Sequence, residues 1–392
     1  PCAQGLSPGV VPGRRRVRRG YAVIPHEKGP VPLSEVFEDL LPERLQPDLG
    51  GQAATSPVRL GRGQVELARR VLDLLKREKQ VVLEGPPGTS KTWTALCAIA
   101  LELGALETET GEFLWEELDR QRLQGEEGRW EVVQFHAGMS YEDFVAGLEA
   151  EPAREGGGLR FEVREKVFVR MCRLSSKRPG LAHFLLLDEV NRAPLEKVLG
   201  QLLFALEYRG RGVHAPPLEE RLTVPENLYI LATMNSADKN VGDIDHALRR
   251  RFAFFRLKPD PSLLREYLER AGLEDPEVEE IATVFEKLIE YFGGREDYAV
   301  GHTYFFVKGG DWRRDLRYRV DHRLLPLLRE YVEEGVLTRE EERQIEALLG
   351  GLTEAKGGLG TTAEAPTDET GDTGSEGAPP QHEETEASEA AR

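Results

Sequence analysis

The apolar residues of this chain follow two rhythms between about residues 60 and 262. Five short runs are apolar almost throughout: Val81–Glu84, Glu131–Phe135, His183–Leu187, Leu228–Ala232 and Phe252–Leu257. Runs of that length, bounded by polar or Gly/Pro text, read as strands covered on both faces. Between them, apolar positions recur every three or four residues. Arg62–Lys79 places Val65, Ala68, Val71, Leu72 and Leu75 on one face, Trp93–Leu103 is a helical run, and Lys197–Glu207 lines up Val198, Leu199, Leu202 and Leu206. Strands alternating with amphipathic helices predict a three-layer α/β sandwich on a mainly parallel sheet. The stretch from Tyr141 to Met171 departs from this alternation. Its turn, Glu155-Gly156-Gly157-Gly158, between two short apolar stretches predicts a hairpin on the sheet, either a plain surface hairpin or a partner contact.

The two ends of the chain lack such periodicity. Residues 1–55 are rich in Pro and Gly and include the basic run Arg14-Arg15-Arg16-Val17-Arg18-Arg19, which reads as a solvated arm or as a short contact to phosphate backbone. The last forty residues hold ten acids and two bases with almost no large apolar side chain, a composition that cannot bury enough surface to order itself. The expected organisation is therefore an N-terminal low-complexity arm (1–55), an α/β nucleotide-binding domain (56–260), a helical domain (261–350) and an acidic tail (351–392). The net charge of −17 argues against bulk attraction to nucleic acid. No run of eighteen apolar residues occurs, so neither membrane insertion nor secretion is indicated and a cytoplasmic address is the default expectation. Cys2, Cys97 and Cys172 are too few and too scattered for a disulfide framework or a metal site, and read as reduced residues.

Chemistry enters at the tip of the first strand. Gly85-Pro86-Pro87-Gly88-Thr89-Ser90-Lys91-Thr92 resembles the phosphate loop GxxxxGK[ST], with Ser90 in place of the last Gly. Its glycines let successive N–H groups face a phosphate, and the N-terminus of the following helix adds a favourable partial charge. Lys91 is expected to reach the β and γ oxygens and Thr92 to ligate Mg²⁺. Ser90 keeps its N–H donor provided its backbone angles are ordinary. The third strand ends in Asp188-Glu189, at the sheet edge where open α/β sheets bind ligands. Asp188 would hold the Mg²⁺ shell and Glu189 would polarise a water, although adjacent acids there also suit a helix first turn. Asn235, at the tip of the fourth strand, is a sensor candidate whose amide can bond both the γ-phosphate and the lytic water; its other reading is a turn residue. Arg250 and Arg251 close a short predicted helix, Asp243–Arg250, either stabilising its dipole or reaching a neighbouring subunit's nucleotide.

These blocks together resemble the McrB-type GTPases of modified-cytosine restriction systems, within the AAA+ ATPases. The residues that carry the resemblance are the loop Gly85–Thr92, Phe135-His136 with Tyr141–Leu148, Leu187-Asp188-Glu189-Val190-Asn191-Arg192-Ala193, Met234-Asn235-Ser236-Ala237-Asp238, and Asp245 through Ala247–Phe252. Gly301-His302-Thr303-Tyr304-Phe305 and Leu324–Tyr331 resemble the family's C-terminal helical lid, so the likeness spans about residues 60–335. It implies an AAA+ P-loop sandwich with a small helical lid, which hydrolyses GTP with Mg²⁺ in a ring, expected to be hexameric, and drives DNA translocation for a McrC-type nuclease. It also implies that Asn191 joins Asn235 in holding the lytic water, that Arg250 and Arg251 act in trans, and that Arg192, Asp238 and Asp245 support the interface. Lys239 stands where the family has Arg and cannot reproduce a bidentate contact.

The family's folded DNA-reading module does not fit into about fifty-five low-complexity residues. Specificity is therefore expected in a partner, an upstream segment or another target. A second reading is an ATP-dependent remodelling chaperone resembling the MoxR proteins, because no residue of the loop separates guanine from adenine. His136 and His302 have no His or Cys at ligand spacing, and are expected to pack and hydrogen-bond.

Overall fold

The computed structural model describes residues 58–124, 127–152, 159–238 and 246–354. The basic arm, Cys2, the turn Glu155–Gly158, Lys239, Asp245 and the acidic tail beyond Glu354 lie outside the described residues. Five strands form one sheet: β1 (Gln80–Gly85), β2 (Trp130–Gln134), β3 (His183–Asp188), β4 (Leu228–Asn235) and β5 (Ala253–Arg256). They run in the order β2-β3-β4-β1-β5, every neighbouring pair parallel. Strand alternation decides which side chain serves which layer. Val82, Leu185, Leu187, Ile230 and Ala232 enter one core, with helix α3 (Val167–Lys177) and the short helices Leu195–Leu199 and Leu202–Glu207. Val81, Leu83, Phe184, Leu186 and Leu231 enter the other, against α1 (Arg62–Glu78) and α2 (Lys91–Leu103). Two apolar layers on a central sheet make the α/β sandwich that the alternating text predicts. Cys97 and Cys172 are free thiols buried one in each core.

One expected element is broken. Lys197–Glu207 reads as a single helix, whereas the chain stops at Gly200 (φ 45°, ψ −121°) and restarts at Leu202. Glycine alone tolerates that backbone, and the break lets Leu199 and Leu202 both enter the core although the helical phase is lost between them. The Tyr141–Met171 stretch does contain an antiparallel hairpin, Ala146–Pro152 with Leu159–Glu165.

Beyond β5 the chain is helical: α4 (Pro261–Arg270), α5 (Asp275–Tyr291), α6 (Trp312–Arg319), α7 (Leu325–Glu333) and α8 (Arg339–Thr353). They enclose a third core around Phe285, Phe305, Trp312 and Leu328. This helical part is fastened to the sheet's phosphate-loop edge. Ser236 Oγ donates to Asp297 O at 2.9 Å, Arg256 pairs with Asp297 at 2.5 Å, and Gly301 N–H donates to Pro87 O at 2.9 Å.

Candidate functional site

Parallel pairing carries the ends of β1, β3 and β4 to one edge, because each strand leaves the sheet in the same direction. The register pairs Gly85 with Asn235, so the phosphate loop opens directly beside the tip of β4. Within the loop, Gly88 has φ 78°, and a Cβ there would stand 2.7 Å from the Tyr304 ring, which explains why a glycine is needed. Thr89 Oγ1 donates to Pro86 O at 2.9 Å, bracing the turn from inside. Ser90 does not have ordinary angles: it is left-handed at φ 60°, ψ 28°, as the Gly of the strict spacing would be, because the chain must reverse there to enter α2. It is also the helix N-cap, and its hydroxyl lies 2.7 Å from His302 Nε2 instead of capping its own helix.

Lys91 is buried and donates from Nζ to Gly85 O and Pro86 O, both at 2.9 Å. An ammonium has three donors, so one remains for an anion. Burial pulls its pKa down to about 8, against the opposing pull of Glu189, Asp188 and Asp238. Thr92 Oγ1 donates to Asp188 Oδ1 at 2.7 Å and so joins the loop to the acidic pair. The same Oδ1 accepts a second hydroxyl, Thr233 Oγ1, also at 2.7 Å, and Thr233 in turn accepts the Glu189 N–H at 3.0 Å. Thr233 went unread in the sequence. Its only signal is that an inward polar residue interrupts the apolar run of β4.

Glu189 leaves β3 in a left-handed turn (φ 55°, ψ 48°) and pairs with Arg192 at 3.3 Å. Burial pushes its carboxyl up from the usual range, with Arg192 pulling the other way, which makes it a better proton acceptor than an ordinary carboxylate. Asn191 Nδ2 donates to Asn235 O at 2.9 Å, and Asn235 Nδ2 donates to Asp238 Oδ1 at 3.0 Å. Both partners can only accept, which fixes each amide's orientation. One of the two Asn235 amide hydrogens is thus engaged by Asp238, which leaves the other for the sensor role expected from the sequence. Asn191 Oδ1 and Asn235 Oδ1 are left buried without a hydrogen-bond partner, two acceptors of the kind a water's hydrogens satisfy.

The arginines lie elsewhere. The register Val81 to Ala253 sets Arg251 level with the start of β1, about 20 Å from Gly85 at roughly 3.3 Å per residue, beyond an arginine's reach. Arg250 is exposed at the end of the short helix His246–Arg249. Arg251 pairs with Glu207 at 2.6 Å. His302 is buried and hydrogen-bonded, and among the described residues no cluster of three or more His, Cys, Asp or Glu could hold a metal. A Mg²⁺ ion makes no such demand: it takes one or two protein oxygens and keeps several waters. Thr92 Oγ1 and Asp188 Oδ1, both hard oxygen donors held 2.7 Å apart, fit that need.

Residues 112–252 match the AAA domain (dynein-related subfamily). That range holds the acidic pair, both asparagines and both arginines, while the phosphate loop lies ahead of it. Among curated proteins, the chain is 31% identical over 249 residues to the type IV methyl-directed restriction enzyme EcoKMcrB subunit of Escherichia coli K12, covering 60% of this chain and 49% of that protein. It is 27% identical over 223 residues to chaperone MoxR1 of Mycobacterium tuberculosis, covering 56% and 47%. A shorter likeness, 30% over 86 residues, links it to the type II restriction enzyme BsuMI component YdiS of Bacillus subtilis, covering 18% and 25%. The chain thus spans about half the length of the first two relatives. Among the described residues, no helix is long and apolar enough to cross a membrane.

Proposed function

We propose that this chain, an McrB-like AAA+ protein, is a Mg²⁺-dependent nucleoside triphosphatase working at the edge between β1, β3 and β4. The observation that carries the reading is the 2.7 Å bond from Thr92 to Asp188, which joins a phosphate-loop side chain to the acidic pair from a strand ninety-six residues later. In this reading the N–H groups from Gly88 to Thr92 and the Lys91 ammonium, on the turn shaped by Gly85-Pro86-Pro87, bind the triphosphate tail, with charge and geometry fixed in advance. Thr92 and Asp188 hold Mg²⁺, which when bound neutralises the charge of the phosphate oxygens. Glu189 accepts a proton from the attacking water. Asn191 Oδ1 and Asn235 Oδ1 orient that water through their unused acceptors. Arg250 and Arg251, too distant from their own loop, serve the nucleotide of the next copy in a ring, for which a hexamer is the expectation.

The likeness to an McrB restriction subunit favours GTP as substrate, and a McrC-type nuclease as partner, with DNA engaged through the complex. The likeness to chaperone MoxR1 favours the second reading, an ATP-driven remodeller of protein partners. Steady-state hydrolysis of Mg·GTP and Mg·ATP by the purified protein, with and without the candidate nuclease, tests the proposal. Turnover of GTP stimulated by the nuclease is expected. Preference for ATP without any response to the nuclease supports the remodeller, and no turnover of either nucleotide overturns both.

A further inference from the structure

Three consecutive residues of the helical lid close on the phosphate loop. Gly301 N–H donates to Pro87 O at 2.9 Å and Thr303 N–H donates to Gly88 O at 3.0 Å. Between them, buried His302 sets Nε2 2.7 Å from Ser90 Oγ. The approach leaves no space for a side chain at Gly301, where a Cβ would stand 2.0 Å from the Gly88 carbonyl.

The direction of the Ser90–His302 bond follows from the other side of the ring. Asp260 N–H donates to His302 Nδ1 at 3.4 Å, so Nδ1 is an acceptor and the hydrogen of the neutral ring sits on Nε2. Burial keeps the ring neutral by pulling its pKa down to about 4. His302 therefore donates to the Ser90 hydroxyl. Ser90 itself occupies the left-handed region at the position where the loop turns into α2, and in the triphosphate reading its backbone N–H is one of those that meet the phosphates. A residue with a Cβ enters that region at a cost that glycine does not bear.

We propose that His302 is a positioning residue that holds Ser90 in the left-handed conformation the phosphate loop requires, so that a serine and a histidine brought together across the core and lid do what a glycine does alone in the strict spacing. The inference rests on reading Gly85–Thr92 as the triphosphate site. His302 acts through Ser90 and touches no nucleotide.

The test is a double-mutant cycle read in KM and kcat for Mg·GTP and Mg·ATP. His302→Phe keeps the ring volume beside Phe306, whose ring centroid lies 5.6 Å away, and removes the donor. It is expected to raise KM about tenfold in the Ser90 protein, the scale of a left-handed penalty, with a smaller change in kcat. On a Ser90→Gly background, His302→Phe should change that background's own KM by less than about twofold, because glycine adopts the turn unaided. Equal losses on both backgrounds overturn the proposal. Should His302→Phe fail to fold, Ser90→Ala replaces it. Alanine and glycine both delete the hydroxyl, yet only alanine keeps the penalty, so the KM of Ser90→Ala should lie several-fold above that of Ser90→Gly; matching values for the two overturn the proposal. Amide hydrogen exchange of residues 85–92 needs no nucleotide and separates this inference from the triphosphatase reading. Faster exchange in Ser90→Ala than in wild type supports the pair even if no triphosphate is turned over, and unchanged exchange overturns it.

Discussion

Thr233 on β4 and Asp188 at the tip of β3 are joined by a 2.7 Å hydrogen bond, and the Thr233 hydroxyl that donates it also accepts the Glu189 N–H at 3.0 Å. One side chain thus fixes an oxygen of the first acid and the backbone of the second. Because Asp188 Oδ1 also receives Thr92 from the first turn of α2, two strands and the helix behind the phosphate loop converge on a single carboxylate. Glu189 carries the steric cost of a left-handed turn, and the bond from its N–H to Thr233 helps to hold it there.

Thr233→Val keeps the shape of the side chain and deletes the hydroxyl. Turnover is expected to fall about tenfold to a hundredfold, the usual cost of losing a group that orients a metal-binding side chain, with nucleotide affinity little changed. Thr233→Ser should recover most of the rate. Steady-state kinetics beside equilibrium binding checks this, and an equal loss in binding would place Thr233 in the cradle itself.

Glu189→Gln is expected to lower turnover by a factor on the order of a hundred or more, while triphosphate binding persists, because the amide keeps the volume but cannot accept the water's proton. Near-normal turnover in this variant would remove Glu189 from the role assigned to it.

Arg250→Ala should act on a neighbour. In rings mixed from wild-type and variant copies, loss is expected at sites whose adjoining subunit carries the change, and loss confined to the mutated copy's own site would contradict the assignment in trans. Arg251→Ala should show a second effect, since its bond to Glu207 at 2.6 Å is lost. A fall in stability of about 1 kcal/mol is expected, measured by urea unfolding.

His302 gives the stability an acid limb of known sign. Its folded-state pKa of about 4 lies below the ordinary 6.5, because burial disfavours the charged ring. Above about pH 6.5 the ring is neutral in both states and the contribution is fully present. As pH falls toward 4 the unfolded chain takes up a proton that the folded chain refuses, and about 2 kcal/mol is lost by pH 5. Urea unfolding at pH 7.5 and pH 5 should show a smaller acid loss in His302→Phe than in wild type. An equal or larger loss in the variant would contradict the account.

The inner strands β1, β3 and β4 were legible because each is covered on both faces and so appears as a nearly continuous apolar run. The loop, the acidic pair and Asn235 were legible because each closes such a run, and parallel pairing necessarily brings those ends to one edge. What was illegible depends on contacts that leave no periodic trace. Ser90 and His302 are 212 residues apart, and nothing in either neighbourhood announces the other. The pairing of Asn235 with Asp238, which leaves Asn235 Oδ1 without a partner, is likewise a matter of side-chain geometry. Gly200 sat inside a helix-period pattern, and only its positive φ reveals the break.

The central claim is that Gly85–Thr92 and Asp188-Glu189 together hold a triphosphate. Equilibrium binding of Mg·GTP and Mg·ATP to the wild-type protein and to Lys91→Ala tests it most directly. The account predicts that wild type binds at least one of the two and that Lys91→Ala weakens it by at least about tenfold, the loss of one buried charge-assisted contact. Wild-type protein that binds neither nucleotide, or a Lys91→Ala variant that binds as tightly as wild type, would contradict it.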